Sequence, residues 1–186
     1  DKIPALYDQF KVDEEESLIA NLNQLIVTAN KELFSRWNTP VDRMRWEMSA
    51  ATVNAYYHPF KNIIVFPAAI LQAPFYSLKQ SSSQNYGGIG AVIAHEISHA
   101  FDNNGSLFDE FGNLNNWWTD EDSAHFKQLA QKMIDEFDGI PFAGQKVNGK
   151  LTVSENIADA GGLSCALEAA KTEADFNAQE FFINWA

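Results

Sequence analysis

The residues with the plainest chemistry are His95-Glu96-Ile97-Ser98-His99. On a helix, positions i and i+4 lie one above the other on the same face, so two imidazoles at this spacing can hold one ion. Zinc accepts imidazole nitrogen at about 2.0–2.1 Å. Glu96 follows the first histidine directly, which places its carboxylate beside such an ion rather than on it, where it can accept a proton from water. Val92, Ile93, Ala94 and Ile97 make the surroundings apolar. The imidazoles are therefore expected to be half-buried and to need partners. Affinity order alone does not exclude cobalt or manganese in place of zinc.

A catalytic zinc takes three protein ligands and keeps one position open. Many acids follow His99 in the chain. Among them Glu155-Asn156-Ile157-Ala158-Asp159 stands out, because Glu155 and Asp159 are again at i and i+4. One acid can bind the ion while the other accepts a hydrogen bond from a ligand imidazole. Spacing alone leaves open which does what, and leaves open a solvated acidic first turn.

These residues need elements to position them. An apolar helix is expected from about residue 91 to residue 102, preceded by Gly87-Gly88-Ile89-Gly90 and ended by Asn103-Asn104-Gly105. Another is expected to open at Ser154 or Glu155 and run to about Lys171. Thr119 caps an acid-led helix that reaches about Phe137, and a last one begins near Asn177. Upstream, Glu14 to Trp37 reads as an amphipathic helix with Leu18, Leu22, Leu25 and Ile26 in register. A second helical stretch is expected after Val41. Residues 52–66 switch to strand formers around His58-Pro59-Phe60-Lys61-Asn62, the pattern of a hairpin. Ser81-Ser82-Ser83 reads as a loop. The fold class is thus α+β and predominantly helical.

Composition narrows the partners. The chain has 186 residues and a net charge of -12. That charge argues against a nucleic-acid binder, which needs a basic face, and against an anionic membrane surface. The longest apolar stretch, residues 63–71, contains Pro67 and is too short to span a bilayer. The single cysteine, Cys165, allows no internal disulfide. It points to a reducing, cytoplasmic compartment, with the cell surface or exterior as the alternative, and its place on a helix beyond Gly161-Gly162 suggests a small core residue. The two adjacent glycines cost about 1 kcal/mol each against alanine in a helix, which implies close backbone packing near the metal helix. His58 and His125 read as exposed, and Trp117 and Trp118 as packing anchors. Both ends of the chain look cut from something longer.

The motifs together resemble the neprilysin and endothelin-converting-enzyme family, the M13 metallopeptidases. The resemblance rests on residues 95–99, on Glu155-Asn156-Ile157-Ala158-Asp159-Ala160-Gly161-Gly162, and on Val53-Asn54-Ala55-Tyr56-Tyr57. It extends through Ile64-Val65-Phe66-Pro67-Ala68, Asn85-Tyr86-Gly87-Gly88-Ile89-Gly90 and Trp117-Trp118. It covers residues 41–186, and residues 1–40 are similar to the helical lead-in of bacterial members. It implies a thermolysin-like zincin core with a β-hairpin edge strand and one Zn2+ per chain. The implied ligands are His95, His99 and Glu155, with Glu96 as the base. Asp159 is implied as the partner of His95, and Asp102 as that of His99, to which the i+3 spacing also conforms.

For substrate, the resemblance implies that the Asn54 amide and Ala55 carbonyl pair with the backbone of an extended peptide. Phe75 and Val92 are implied to line the pocket for the residue after the cleaved bond, where Ala91 stands in place of a larger neprilysin residue. The implied activity is cleavage of oligopeptides on the amino side of hydrophobic residues. It further implies that residues 1–186 are part of a catalytic domain whose lid, and whose downstream histidine and arginine oxyanion donors, lie outside this sequence. The remainder of the polypeptide is then a partner of this piece. The alternative is a zinc-binding fragment or interaction module without turnover.

Overall fold

The computed structural model describes residue 8 and residues 10–186, and two compact units divide between residues 42 and 43. The α-helix among the described residues of the first is α1 (Leu18–Phe34). It starts later than Glu14 because Ser17 is the cap: its Oγ accepts from the Ala20 N–H at 3.2 Å. Asn21 then clamps the lead-in, accepting from the Asp13 N–H and donating to the Asp13 carbonyl, both at 2.8 Å. Glu14, Glu15 and Glu16 therefore lie ahead of the helix and not in its first turn. Asn38, with φ of 59°, ends the turns that follow. Leu18, Leu22, Leu25 and Ile26 are all exposed.

The second unit opens with turns where a helix was expected after Val41. Long-range bonds take that segment's polar groups: Lys61 Nζ donates to the Arg45 carbonyl at 2.8 Å and to Glu47 Oε1 at 2.7 Å, and the Glu47 N–H donates to the Tyr56 hydroxyl at 2.8 Å. Strands β1 (Tyr56–His58) and β2 (Ile63–Val65) form the expected hairpin, antiparallel with Tyr57 opposite Ile64. It is shorter than residues 52–66, so Asn54 and Ala55 precede the paired strand instead of lying in it.

The helix expected from residue 91 begins much earlier. Ser81 and Gln84 form a capping box that opens α2 (Ser82–Asn85), so the serine run is a helix start and not a loop. A π-helical turn at Tyr86–Gly90 continues directly into α3 (Ala91–Ser98), and a 3-10 turn, His99–Phe101, finishes the rod. The glycine run lies inside it. Gly87 and Gly88 are buried there, where backbone approaches too closely for a side chain.

Helix α4 (Asp120–Phe137) starts at the Thr119 cap as expected. A small hairpin that the sequence reading passed over, β3 (Pro141–Phe142) and β4 (Gln145–Lys146), turns through Ala143 and Gly144, both with positive φ. Then α5 (Gly149–Ala170) begins at the Asn148 cap, so Glu155 and Asp159 are mid-helix rather than in a first turn. Helix α6 (Ala178–Trp185) is capped by Asn177.

Helices α3 and α5 pack along each other, α4 packs on α5, and α6 packs on α2 and the π turn. Ala91, Ala166, Ala170 and Phe181 form one core cluster. Ala55, Ile70 and Ile89 form another, with Phe75 and Val92 against it. The buried α5 positions include 158, 162, 166 and 170, which turns Cys165 outward; it is exposed, not a core residue. At Gly162 a Cβ would meet the His95 nitrogen at 2.7 Å and the Ala91 carbonyl at 2.9 Å. Only glycine lets α5 come this close to the helix carrying the histidines. Both indoles do anchor the loop after α3, Trp117 bonding the Phe108 carbonyl at 2.9 Å and Trp118 the Ser106 carbonyl at 3.1 Å, although Trp117 itself remains 47% exposed. Among the described residues, no helix is long and apolar enough to cross a membrane.

Candidate metal centre

Three side chains converge where α3 faces α5. The Nε2 atoms of His95 and His99 are 2.9 Å apart, and Glu155 Oε2 lies 3.4 Å from the first and 3.6 Å from the second. Among the described residues, these three form the one His/Cys/Asp/Glu group whose ligand atoms all lie within 4.8 Å of one another. Atoms that each sit about 2.0–2.2 Å from a common ion lie no more than about 4.4 Å apart, and the three pairs meet that limit.

The other side of each imidazole is committed. His95 Nδ1 donates to Asp159 Oδ1 at 2.8 Å, and His99 Nδ1 donates to Asp102 Oδ2 at 2.7 Å. A neutral imidazole with its proton on Nδ1 has a lone pair on Nε2. Two such lone pairs and a carboxylate facing one another repel unless a cation lies between them. The donor set, two nitrogens and one carboxylate oxygen, suits zinc. Without a metal ion the same field favours protons: the hydrogen bond to Asp159 raises the His95 pKa, and that to Asp102 raises the pKa of His99, in both cases against burial.

Asp102 is 2% exposed. Burial would raise its pKa, but hydrogen bonds from His99, Ser154 and the backbone N–H groups of Gly105 and Asn104 outweigh it and hold the carboxyl below the usual range. Glu96 is 6% exposed and takes no place in the cluster of three. Burial raises its pKa most, while the neighbouring His95 and His99 and the Tyr57 backbone N–H oppose the rise. A carboxyl raised in this way is a better proton acceptor in the sense that catalysis needs.

Two cavities meet at His95 and Glu96. One, of about 460 Å³, is walled by Phe75, Ala91, Val92 and Leu163, with Asn54 and Asp159 also at its edge. The other, of about 410 Å³, is more polar and runs past Asn54, Ala55, Tyr57, Ser154 and Glu155. Asn54 is exposed and borders both, while Ala55 is buried. Of the residues expected around the histidines, Asn54, Phe75, Val92 and Asp159 line the first cavity, and Asn54, Ala55 and Asp102 the second. Ala91 has a second role that the sequence did not suggest, packing in the core with Ala166 and Phe181. His58 and His125 do not join the cluster. His125 is exposed, but His58 is half-buried, with Nδ1 shielded from solvent and its ring edge-on to Phe60. Ser154 was missed as a site residue: its hydroxyl reaches Asp102 at 2.5 Å across 52 positions of sequence, a separation that leaves no local pattern.

Known proteins resemble this chain in sequence and in fold. The family model described as peptidase family M13 matches residues 54–186. A neutral endopeptidase of Lactococcus lactis is 54% identical over 186 residues, covering 100% of this chain and 30% of the relative. A crystal structure of PepO from Lactobacillus rhamnosis superposes with a TM-score of 0.88 at 47% identity, covering 99% of this chain and 29% of that one. A crystal structure of zinc metalloprotease Zmp1 of Mycobacterium tuberculosis with an inhibitor gives a TM-score of 0.84 at 39% identity, over 90% and 28% of the two chains. The chain therefore spans under a third of the length of these relatives.

Proposed function

The chain belongs to peptidase family M13, and on that premise we propose that it carries the zinc site of a metalloendopeptidase with a thermolysin-like core, cleaving oligopeptides on the amino side of hydrophobic residues. The observation that carries the reading is the convergence of His95, His99 and Glu155 at the junction of two cavities, with buried Glu96 beside them. His95, His99 and Glu155 would hold the ion. Zinc supplies Lewis-acid chemistry there, acidifying a water and polarising a carbonyl. Asp159 and Asp102 hold the two imidazoles with Nε2 directed inward. Glu96 takes the proton of the attacking water on a carboxylate oxygen and later delivers it to the leaving amine. The Asn54 amide and the Ala55 carbonyl bind the peptide backbone between the cavities. The apolar cavity takes the side chain that follows the cleaved bond.

A second reading, zinc binding without turnover, is favoured by one observation: neither cavity is lined by an arginine, a lysine or a third histidine among the described residues. An oxyanion then lacks a charged donor, and one missing donor typically costs about 10²–10³ in rate. The test is elemental analysis followed by assay on a hydrophobic peptide, for the 186-residue chain beside a chain of the relatives' length. Both should hold one zinc. The longer should cleave before Phe or Leu, and the shorter should be slower by at least about 10²-fold. Comparable rates would rule out the need for further donors, and absence of zinc from both would end the metallopeptidase reading.

Ala91→Met probes the pocket. The longer side chain should narrow the apolar cavity and shift preference toward smaller residues, but only partly, since one methylene discriminates by about 1–3 kcal/mol. Because Ala91 also packs in the core, overpacking should lower stability by about 1–3 kcal/mol. Product sequencing and thermal melting check the two effects. Identical cleavage patterns in a protein with a lowered Tm would show that Ala91 serves the core alone.

A further inference from the structure

Asp102 is held by four donors. Its Oδ1 accepts the Asn104 and Gly105 N–H groups, each at 2.7 Å. Its Oδ2 accepts His99 Nδ1 at 2.7 Å and the Ser154 hydroxyl at 2.5 Å. Three of the four donors come from residues 99–105, the same stretch of chain as Asp102. Ser154 alone comes from α5. It is also the residue immediately before Glu155, and the hydrogen bond of its hydroxyl lands on the very oxygen that orients His99.

We infer that Ser154 is a positioning residue for the metal centre, tying the helix that presents Glu155 to the Asp102–His99 pair so that ligands from two helices keep one mutual geometry. This inference rests on the metal-site reading of His95, His99 and Glu155. Glu155 has a side chain 66% exposed, so packing does little to fix its approach. The backbone on either side of it does so instead. Gly162 holds one part of α5 against His95 by close contact, and Ser154 holds the part nearer Glu155 by a charge-assisted hydrogen bond. Loss of the hydroxyl leaves a buried carboxylate oxygen with one donor fewer and frees that stretch of α5 from the Asp102 turn that follows α3.

The test uses the full-length protein loaded with zinc. Release of the ion to a chromophoric chelator is timed for wild type, Ser154→Ala and Ser154→Thr. Removing partners behind a metal ligand typically costs about 10–100-fold in affinity or activity, and Ser154→Ala should release zinc about tenfold faster, at the low end of that range. Ser154→Thr keeps the hydroxyl beside an open cavity and should restore slow release. The visible spectrum of the cobalt-substituted protein should change in Ser154→Ala and return in Ser154→Thr, which a merely destabilised fold would not do. Wild-type release from Ser154→Ala with an unchanged cobalt spectrum would overturn the inference, as would equally fast release from both variants. A wild type that takes up no zinc would overturn the metal-site reading and this inference together, whereas a zinc-holding wild type matched by Ser154→Ala overturns this inference alone.

Discussion

Glu96→Gln in the full-length protein should abolish peptide hydrolysis while leaving zinc content unchanged. Glutamine has the shape of glutamate, and its Oε1 can still face the Tyr57 N–H that lowers the Glu96 pKa. What it lacks is basicity: an amide does not take a proton from water near neutral pH. General acid–base groups contribute about 10²–10⁴ in rate, and the loss should reach at least that size because this one group acts at both ends of the reaction. Zinc should stay because Glu96 stands outside the cluster of His95, His99 and Glu155. Stability should hold or rise slightly, since the substitution removes an ionisable group whose charge is disfavoured by burial. Turnover and elemental analysis on the same sample decide it. A variant near the wild-type rate, or one purified without zinc, would break the assignment of Glu96 as base.

Glu155→Gln should fail in the opposite way, losing the ion first. A neutral amide oxygen replaces an anionic ligand, and the histidines become a two-point site. The drop in zinc affinity should exceed the 10–100-fold typical of residues that only orient a ligand, reaching more than about 100-fold. The metal-free fold should be little altered, since this side chain is 66% exposed and surface substitutions usually stay within about 0.5 kcal/mol. Thermal melting separates the two quantities. Zinc at a hundred times its Kd should stabilise the wild type by about 2.7 kcal/mol, and the same concentration should stabilise Glu155→Gln scarcely at all. An equal upward shift of Tm in both proteins would remove Glu155 from the ligand set.

The candidate site was legible where its logic is local. His95 and His99, one helical turn apart, and His99 and Asp102, three residues apart, declare a shared face by spacing alone. Glu155 and Asp159 declare theirs too, but which acid faces the two Nε2 atoms depends on how α5 lies on α3, and spacing left that open. Element boundaries suffered from glycine. The helix carrying Glu155 was expected to open at Ser154 or Glu155, yet Gly149 is the first residue of α5, packed where a Cβ would run into the Ile134 carbonyl. The Gly87–Gly90 run was read as the approach to a helix already under way, so the capping box of Ser81 and Gln84 went unnoticed. In each case close tertiary packing chose glycine, and local propensity argued the other way. The turns after Val41 were hidden for a related reason, because the Lys61 bonds that organise them come from a different part of the chain.

The π turn at Tyr86–Gly90 acts as a phase shifter. An α-helix advances about 100° per residue, so one extra residue in a turn sets everything after it out of step by that angle. The face that α2 offers to α6 and to the loop before it, where Ser82 donates to Asp175 and Ser83 accepts from the Asn177 N–H, is thereby set at a different angle to the face that α3 offers to α5 than an unbroken α-helix would give. From Ala91 onward the azimuth of His95 and His99 is fixed by contact with Gly162, so the π turn sets the angle between the capped front of the rod and the two imidazoles.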